Sequence, residues 1–291
     1  MGSDSTEYGL NLSWYHAHPM EAWIKSGFII VALALVGFLG SWEASSLVSP
    51  RGEIGPTILQ AQSPISAVIA IIITVGVASV IGGIVAKYTS MTLGMLILGF
   101  SLFAIAMKLD GIEAFVYGGG NFYLLILEAL FLSVIVLLGT IVVFAIGGPL
   151  KDVIQAKHRK ANEVWLTFLI PLSVLPIVYI VATSSMSGQA IGAAAVGGIA
   201  IGFLARYFTP TMQPLLLYAL SIAMGGFGYF IGMTITPVTD VAIAQQQISP
   251  LLFLMPIQYA AGLIIGLSIG LGWAASLAEK PPVTVSAKKL A

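Results

Sequence analysis

Long apolar runs separated by short polar segments constrain this chain more than any other feature. About eight runs are long enough, or nearly long enough, to cross a bilayer as helices, since about 20 apolar residues span its hydrocarbon core. The runs are continuous and lack alternation of period two, which excludes barrel strands. The sequence therefore predicts an all-α, polytopic bundle of about eight spans, at residues 23–42, 64–86, 90–107, 121–147, 163–182, 189–207, 211–233 and 250–275.

The composition supports a membrane location. Only 8% of the 291 residues are charged and 58% are hydrophobic, whereas soluble domains carry about 25% charged residues. Lys plus Arg and Asp plus Glu number 12 each, so no basic excess indicates a nucleic-acid partner. The absence of cysteine excludes disulfides and thiolate metal sites. These features predict an integral membrane protein and exclude an ordinary cytosolic enzyme.

Lysine and arginine positions predict the orientation in the membrane. In an eight-span arrangement ten of the 12 basic residues fall on one side, with Arg51 and Lys108 on the other. Because cytoplasmic loops are enriched in Lys and Arg, both termini are expected in the cytoplasm. An uncleaved first span, short loops and the lack of cysteine favour a prokaryotic plasma membrane.

The two halves of the chain resemble each other. Residues 21–24 (Glu-Ala-Trp-Ile) open the first span as 163–166 (Glu-Val-Trp-Leu) open the fifth, and 83–88 end the second span as 202–207 end the sixth. With four spans per copy, both copies enter the membrane in the same direction, which predicts a parallel tandem repeat. The predicted organisation is an N-terminal segment (1–22), repeat 1 (23–147), a basic linker (148–162), repeat 2 (163–276) and a C-terminal tail (277–291).

Amphipathic residues mark the ends of several predicted spans. Trp and Tyr favour the membrane–water interface, and Lys and Arg extend their charges into it. The predicted interfacial anchors are Trp23, Lys87, Tyr88, Trp165, Arg206 and Tyr207.

Two spans carry small residues at every fourth position, which allows helices to approach closely inside lipid. The predicted packing glycines are Gly198 and Gly202 in the sixth span, and Gly262, Gly266 and Gly270 in the eighth. The pattern leaves open whether these contacts lie within one chain or between chains. Prolines within the second-half spans (Pro171, Pro176, Pro214 and Pro256) predict kinks there.

Glu128 is the acidic residue that lies well inside a predicted span, at about 10 Å depth by helical rise. An acid at that depth is a candidate for binding a proton, a cation, a quinone or a lipid headgroup. The alternative, which we favour, is a neutral glutamic acid that fastens spans four and eight through Gln258. Both residues are therefore intramembrane polar candidates.

Catalytic and metal-binding patterns are weak. His16 and His18 are the best candidate metal ligands, but a zinc site needs three or four ligands. No histidine lies in a predicted span, which excludes haem held by histidine within the bilayer. We expect no catalytic residues, no metal and no resident cofactor, although bound lipid is expected and a quinone is possible.

Three functions are compatible with these features. The first is a non-catalytic subunit of a larger membrane assembly, whose partners are lipids and other membrane-protein subunits. The second is a transporter or channel for a small or hydrophobic solute that uses Glu128 and Gln258. The third is a quinone- or lipid-contacting subunit of an electron-transfer complex. We rank them in that order, because few polar residues line the predicted spans.

Overall fold

The structure is a computed structural model that describes residues 19–149, 161–210 and 213–278. The described part of the chain is all-helical, with one isolated antiparallel bridge between Val48 and Ile54. The helices are α1 (Pro19–Glu43), α2 (Pro64–Tyr88), α3 (Met91–Ala106), α4 (Ile112–Tyr117), α5 (Phe122–Gly147), α6 (Ala161–Leu169), α7 (Val174–Val181), α8 (Ser187–Phe208), α9 (Leu215–Ile235), α10 (Asp240–Ala244) and α11 (Pro256–Ala278).

Six of these helices are long and apolar enough to cross a membrane: α1, α2, α5, α8, α9 and α11. Six such helices are consistent with the predicted integral, multi-pass membrane protein, while the predicted count of about eight spans is not confirmed. Two further apolar segments are shorter. Helix α3 has 16 residues, or about 24 Å of rise, against a hydrocarbon core of about 30 Å.

The predicted fifth span is interrupted. Helix α6 ends at Leu169, residues Ile170–Ser173 form a 3₁₀ turn, and α7 continues from Val174. Pro171 lies in this turn, where its missing N–H removes a hydrogen bond of a continuous α-helix. The kink predicted for this region is therefore present as a change of helix type.

Two other prolines mark helix starts. The sequence prediction began the last two spans at 211 and 250, but α9 begins at Leu215 after Pro214, and α11 begins with Pro256. Proline suits a first turn, where its missing N–H would have no partner in the helix. The sequence analysis had expected Pro214 and Pro256 to lie within spans and to kink them. The structure instead places both prolines at the starts of helices.

Helix α3 lies at the centre of the bundle and packs on α1, α2 and α11. Helix α5 packs on α2 and α9, and α8 packs most extensively on α11. Helix α1 is peripheral: Ala32 and Val36 are buried, whereas most of its large side chains are exposed.

Glycines permit the close approach of α8 and α11. A Cβ atom built on Gly198 would lie 2.6 Å from the carbonyl oxygen of Leu263, and one on Gly202 would lie 2.7 Å from that of Leu267. Methyl groups on Gly262, Gly266 and Gly270 would overlap the carbonyl oxygens of α8. The two small-residue stripes thus face each other within one chain.

At one end of the bundle, the segments that join consecutive helices pack together into a cap. We define the cap as residues 44–63, 107–121, 182–186 and 236–255. Hydrogen bonds join these segments, including that from Gln60 Nε2 to the carbonyl oxygen of Phe115, at 3.2 Å. Helix α1 begins at Pro19, inside the predicted N-terminal segment 1–22. Residues 1–18, 150–160 and 279–291 lie outside the described residues.

Candidate functional site

Glu128 lies in α5, a short distance from the cap. The helix begins after Asn121, whose side chain accepts a hydrogen bond from the backbone N–H of Tyr123 at 3.0 Å. Six residues of helical rise place Glu128 about 9 Å into α5. Its side chain is 1% exposed. A carboxyl group at this depth is costly to leave without hydrogen-bond partners.

The partners of Glu128 are backbone amides of the cap segment that connects α1 to α2. The N–H of Ile58 donates to Oε1 at 3.1 Å and to Oε2 at 3.0 Å, and the N–H of Leu59 donates to Oε2 at 3.4 Å. Residues 55–58 are buried although they are not helical. Non-helical backbone at membrane depth is tolerated where it is buried in protein and its polar groups are satisfied. Glu128 therefore fastens an inserted loop to the bundle.

Gln258 has different partners. Its Oε1 accepts a hydrogen bond from the N–H of Met255 at 3.1 Å, and its Nε2 donates to Ser187 Oγ at 3.0 Å. The hydroxyl of Ser187 in turn donates to the carbonyl oxygen of Leu109 at 2.9 Å. Gln258 thus joins the first turns of α11 and α8 to the chain that follows α3. Glu128 and Gln258 were expected to bond to each other, but each forms hydrogen bonds with its own separate partners.

Buried tyrosines add polar groups that the sequence analysis missed. The hydroxyl of Tyr229 donates to the carbonyl oxygen of Leu254 at 2.8 Å, and that of Tyr259 donates to the carbonyl oxygen of Ser221 at 3.3 Å. Their positions gave no signal, since Tyr229 lies near the end of the predicted span 211–233 and Tyr259 lies in the first turn of α11, where tyrosines of membrane helices commonly concentrate.

A small cleft in the cap holds two carboxylates. Glu53 and Asp110 line it together with Arg51 and Gln60, and its volume is about 90 Å³. That volume accommodates several water molecules and is well below the roughly 300 Å³ of small-molecule sites. Burial and the nearby charge of Glu53 raise the pKa of Asp110 above its ordinary value.

The two basic residues of the cap bind backbone carbonyl groups. The guanidinium of Arg51 donates to the carbonyl oxygen of Tyr117, and the ammonium of Lys108 donates to that of Ser41 at 3.2 Å. The bond of Arg51 joins two segments of the cap, and the bond of Lys108 joins the cap to the last turn of α1.

A second cap contact connects the two halves of the chain. The hydroxyl of Ser185 donates to Glu113 Oε1 at 2.7 Å, and Gln246 Nε2 donates to Ser185 Oγ at 3.4 Å. Ser185 is buried. No pattern in the sequence singles out these residues, because their separations along the chain follow no helical or strand spacing.

The predicted anchors lie at the end of the bundle opposite the cap. Trp23, Tyr88, Trp165 and Tyr207 are largely exposed and occupy the first or last turns of their helices. Lys87 and Arg206 lie in the last turns of α2 and α8. Aromatic and basic side chains at this level suit a membrane–water interface.

Comparisons with protein-family models, with curated proteins and with solved structures each gave no match. The geometry of the site is therefore the basis of any functional argument.

The buried polar side chains of the site can hold segments of the chain together through hydrogen bonds. Glu128, Gln258 and Ser185 each connect segments that are far apart in sequence. His16 and His18 lie outside the described residues. Within the described ranges, no group of three His, Cys, Asp or Glu side chains is placed to hold a metal ion.

Proposed function

We propose that this chain is an integral membrane, non-catalytic subunit of a larger membrane-protein assembly. Its task is to present a fixed cap and an apolar helical surface to partner subunits and lipid. The observation that carries the proposal is the engagement of Glu128 by the backbone amides of Ile58 and Leu59. The acidic residue within α5 therefore binds another segment of the same chain.

Hydrogen bonds from backbone amides hold the carboxyl group of Glu128 in one place. A group that must bind and release a substrate ion exchanges partners during its cycle, whereas the partners of Glu128 are backbone groups of a largely buried loop. Loss of the carboxyl group would leave the buried N–H of Ile58 and the partly buried N–H of Leu59 without this partner. This cost favours a structural role for Glu128.

The proposal includes eight crossings arranged as two parallel copies of four. Helix packing supports it. The third spans of the two copies are α3 and α9, and the fourth spans are α5 and α11. Each fourth span packs on the third span of the other copy: α5 on α9, and α11 on α3. Ser133 Oγ donates to the carbonyl oxygen of Ala219 at 2.8 Å in the first of these contacts. The correspondence is incomplete, because α2 packs closely on α3 whereas α8 hardly touches α9.

We further propose that the cap faces away from the cytoplasm, in a prokaryotic plasma membrane. Arg51 and Lys108 are the basic residues of the cap, and ten others lie outside it. Cytoplasmic loops carry the excess of Lys and Arg. A cysteine introduced at Gln245, an exposed residue of the cap with ordinary backbone angles, would test this by labelling with a membrane-impermeant maleimide in intact cells.

The decisive experiment is purification of the tagged chain in mild detergent, followed by light scattering and mass spectrometry of the intact complex. We expect other membrane chains at constant stoichiometry, retained after dilution and in high salt. Deletion of residues 1–20 should release these partners. A solitary 30.5 kDa monomer would overturn the proposal.

A second candidate is a transporter or channel for a small or hydrophobic solute. Polar groups near the cap favour it: Glu128 lies in α5, and hydrogen bonds that run from Gln258 through Ser187 to Leu109 cross between the two proposed copies. In reconstituted vesicles, Glu128→Gln would abolish proton-coupled flux under this alternative. Under the first proposal the same variant would retain its partners.

A further inference from the structure

A groove lies between the first turns of α1 and the last turn of α2. It is lined by Glu21, Ile24, Lys25, Phe28 and Tyr88 and has a volume of about 350 Å³. The rings of Phe28 and Tyr88 meet edge to face at its base, with centroids 6.2 Å apart. The side chains of Ile24, Phe28 and Tyr88 are exposed. The groove is therefore open toward the surroundings of the bundle.

The walls of the groove are almost entirely apolar, but its rim is charged. Ile24, Phe28 and Tyr88 present hydrocarbon surface, while Lys25 and Glu21 lie one helical turn apart at the rim. This is the end of the bundle at which the aromatic and basic anchors lie. An apolar wall with a cation at the interface matches a molecule that has a hydrocarbon tail and a phosphate.

We propose that this groove is a binding site for one membrane phospholipid. A hydrocarbon chain of the lipid packs between Ile24, Phe28 and Tyr88, and its phosphate contacts the ammonium of Lys25. Lysine has a flexible four-carbon stem that follows apolar surface and places its charge at headgroup level. Glu21 adds a negative charge beside the phosphate position, which suits a headgroup that carries an ammonium.

The weak attachment of α1 gives the site a physical purpose. Along residues 21–28 the side chains of α1 are exposed or nearly so, and the helix joins the bundle through residues nearer the cap, such as Ala32 and Val36. A lipid in the groove would fill the gap between the first turns of α1 and α2. The inference holds whether or not the chain has protein partners, so its failure is distinguishable from failure of the proposed function.

Native mass spectrometry of the purified full-length chain tests the proposal. Four dioleoyl probes are titrated: phosphatidylglycerol, phosphatidylethanolamine, phosphatidylcholine and diacylglycerol, which lacks phosphate. We expect one phospholipid retained per chain, with diacylglycerol bound more weakly. Lys25→Gln should weaken binding of the phospholipids about fivefold, since one lysine near the headgroups contributes about that factor, and Lys25→Arg should restore it.

Lys87→Gln is the matched control, because Lys87 lies at the same end of the bundle but outside the groove. Its phospholipid affinity should equal that of the wild type. Equal losses in the Lys25 and Lys87 variants would show non-specific attraction and overturn the site. Diacylglycerol retained as firmly as phospholipid, or no lipid retained by the wild type, would overturn it as well. Ile24→Ser, which changes the groove wall and keeps both charges, should also weaken retention.

Discussion

The carboxyl group of Glu128 and the backbone N–H of Ile58 form a hydrogen bond of 3.0 Å across 70 residues of sequence. One partner lies on a membrane-spanning helix and the other on an inserted, non-helical segment. The bond allows irregular backbone to be buried among helices, because it satisfies a donor that would otherwise have no acceptor.

Removal of the Glu128 carboxylate should destabilise the inserted loop. Glu128→Ala leaves the amides of Ile58 and Leu59 without acceptors, which costs about 1–3 kcal/mol. Glu128→Gln keeps one acceptor oxygen and should cost less. The free energy of unfolding in detergent measures both, with a substitution at an exposed residue of the cap, Gln247→Ala, as a control. Equal stability of Glu128→Ala and the wild type would contradict the role assigned to this bond.

The crossing of α8 and α11 should not tolerate a side chain at Gly266. A valine there would overlap the backbone of Ala195, and overpacking costs typically about 1–3 kcal/mol. Gly272→Val is the matched control on the same helix, because a Cβ atom at Gly272 meets nothing within 4 Å. Thermal unfolding should show a lower Tm for Gly266→Val alone. A similar Tm for the two variants would mean that these helices are not packed as described.

The stability of the cap should depend on the protonation of Asp110. Burial and Glu53 raise the pKa of Asp110 above 3.8, so the folded chain binds this proton more tightly than the unfolded chain. The resulting stabilisation is complete below pH 3.8 and is lost as the pH rises through the raised pKa.

Asp110→Asn should therefore unfold at a higher temperature than the wild type at neutral pH, and the difference should vanish at acidic pH. Thermal scans between about pH 3 and 7 check this, because the difference in Tm between Asp110→Asn and the wild type should grow as the pH rises through the raised pKa of Asp110. The gain should shrink in a Glu53→Gln background, which removes the neighbouring charge. A neutral-pH Tm below that of the wild type would show that the charged form of Asp110 stabilises the cap.

Ser185 should hold residues 240–249 of the cap in place. Ser185→Ala removes the bond to Glu113 and the acceptor for Gln246, at a cost of about 1 kcal/mol. Hydrogen exchange at the amides of residues 240–249 should accelerate. Ser45→Ala, which removes a bond within its own turn, should leave that exchange unchanged. Unaltered exchange in the Ser185 variant would place the restraint elsewhere.

Local patterns in the sequence predicted where the long helices lie and which of their residues need partners. Continuous apolar runs determined where long helices form, because such a run leaves the backbone no partner in lipid except itself. The spacing of Gly262, Gly266 and Gly270 determined which face of α11 could approach another helix. The isolation of Glu128 among apolar neighbours marked it as a residue in need of a partner.

Only the tertiary structure decided what those partners are. The amides of Ile58 and Leu59 belong to a segment whose composition does not distinguish it from an exposed loop, and Ser185 meets Glu113 across 72 residues. The pairing of α8 with α11 was likewise invisible, since several spans carry small residues. Hydrogen-bond donors and close helix contacts depend on distances between segments, whereas sequence spacing reports only on neighbours within one helix.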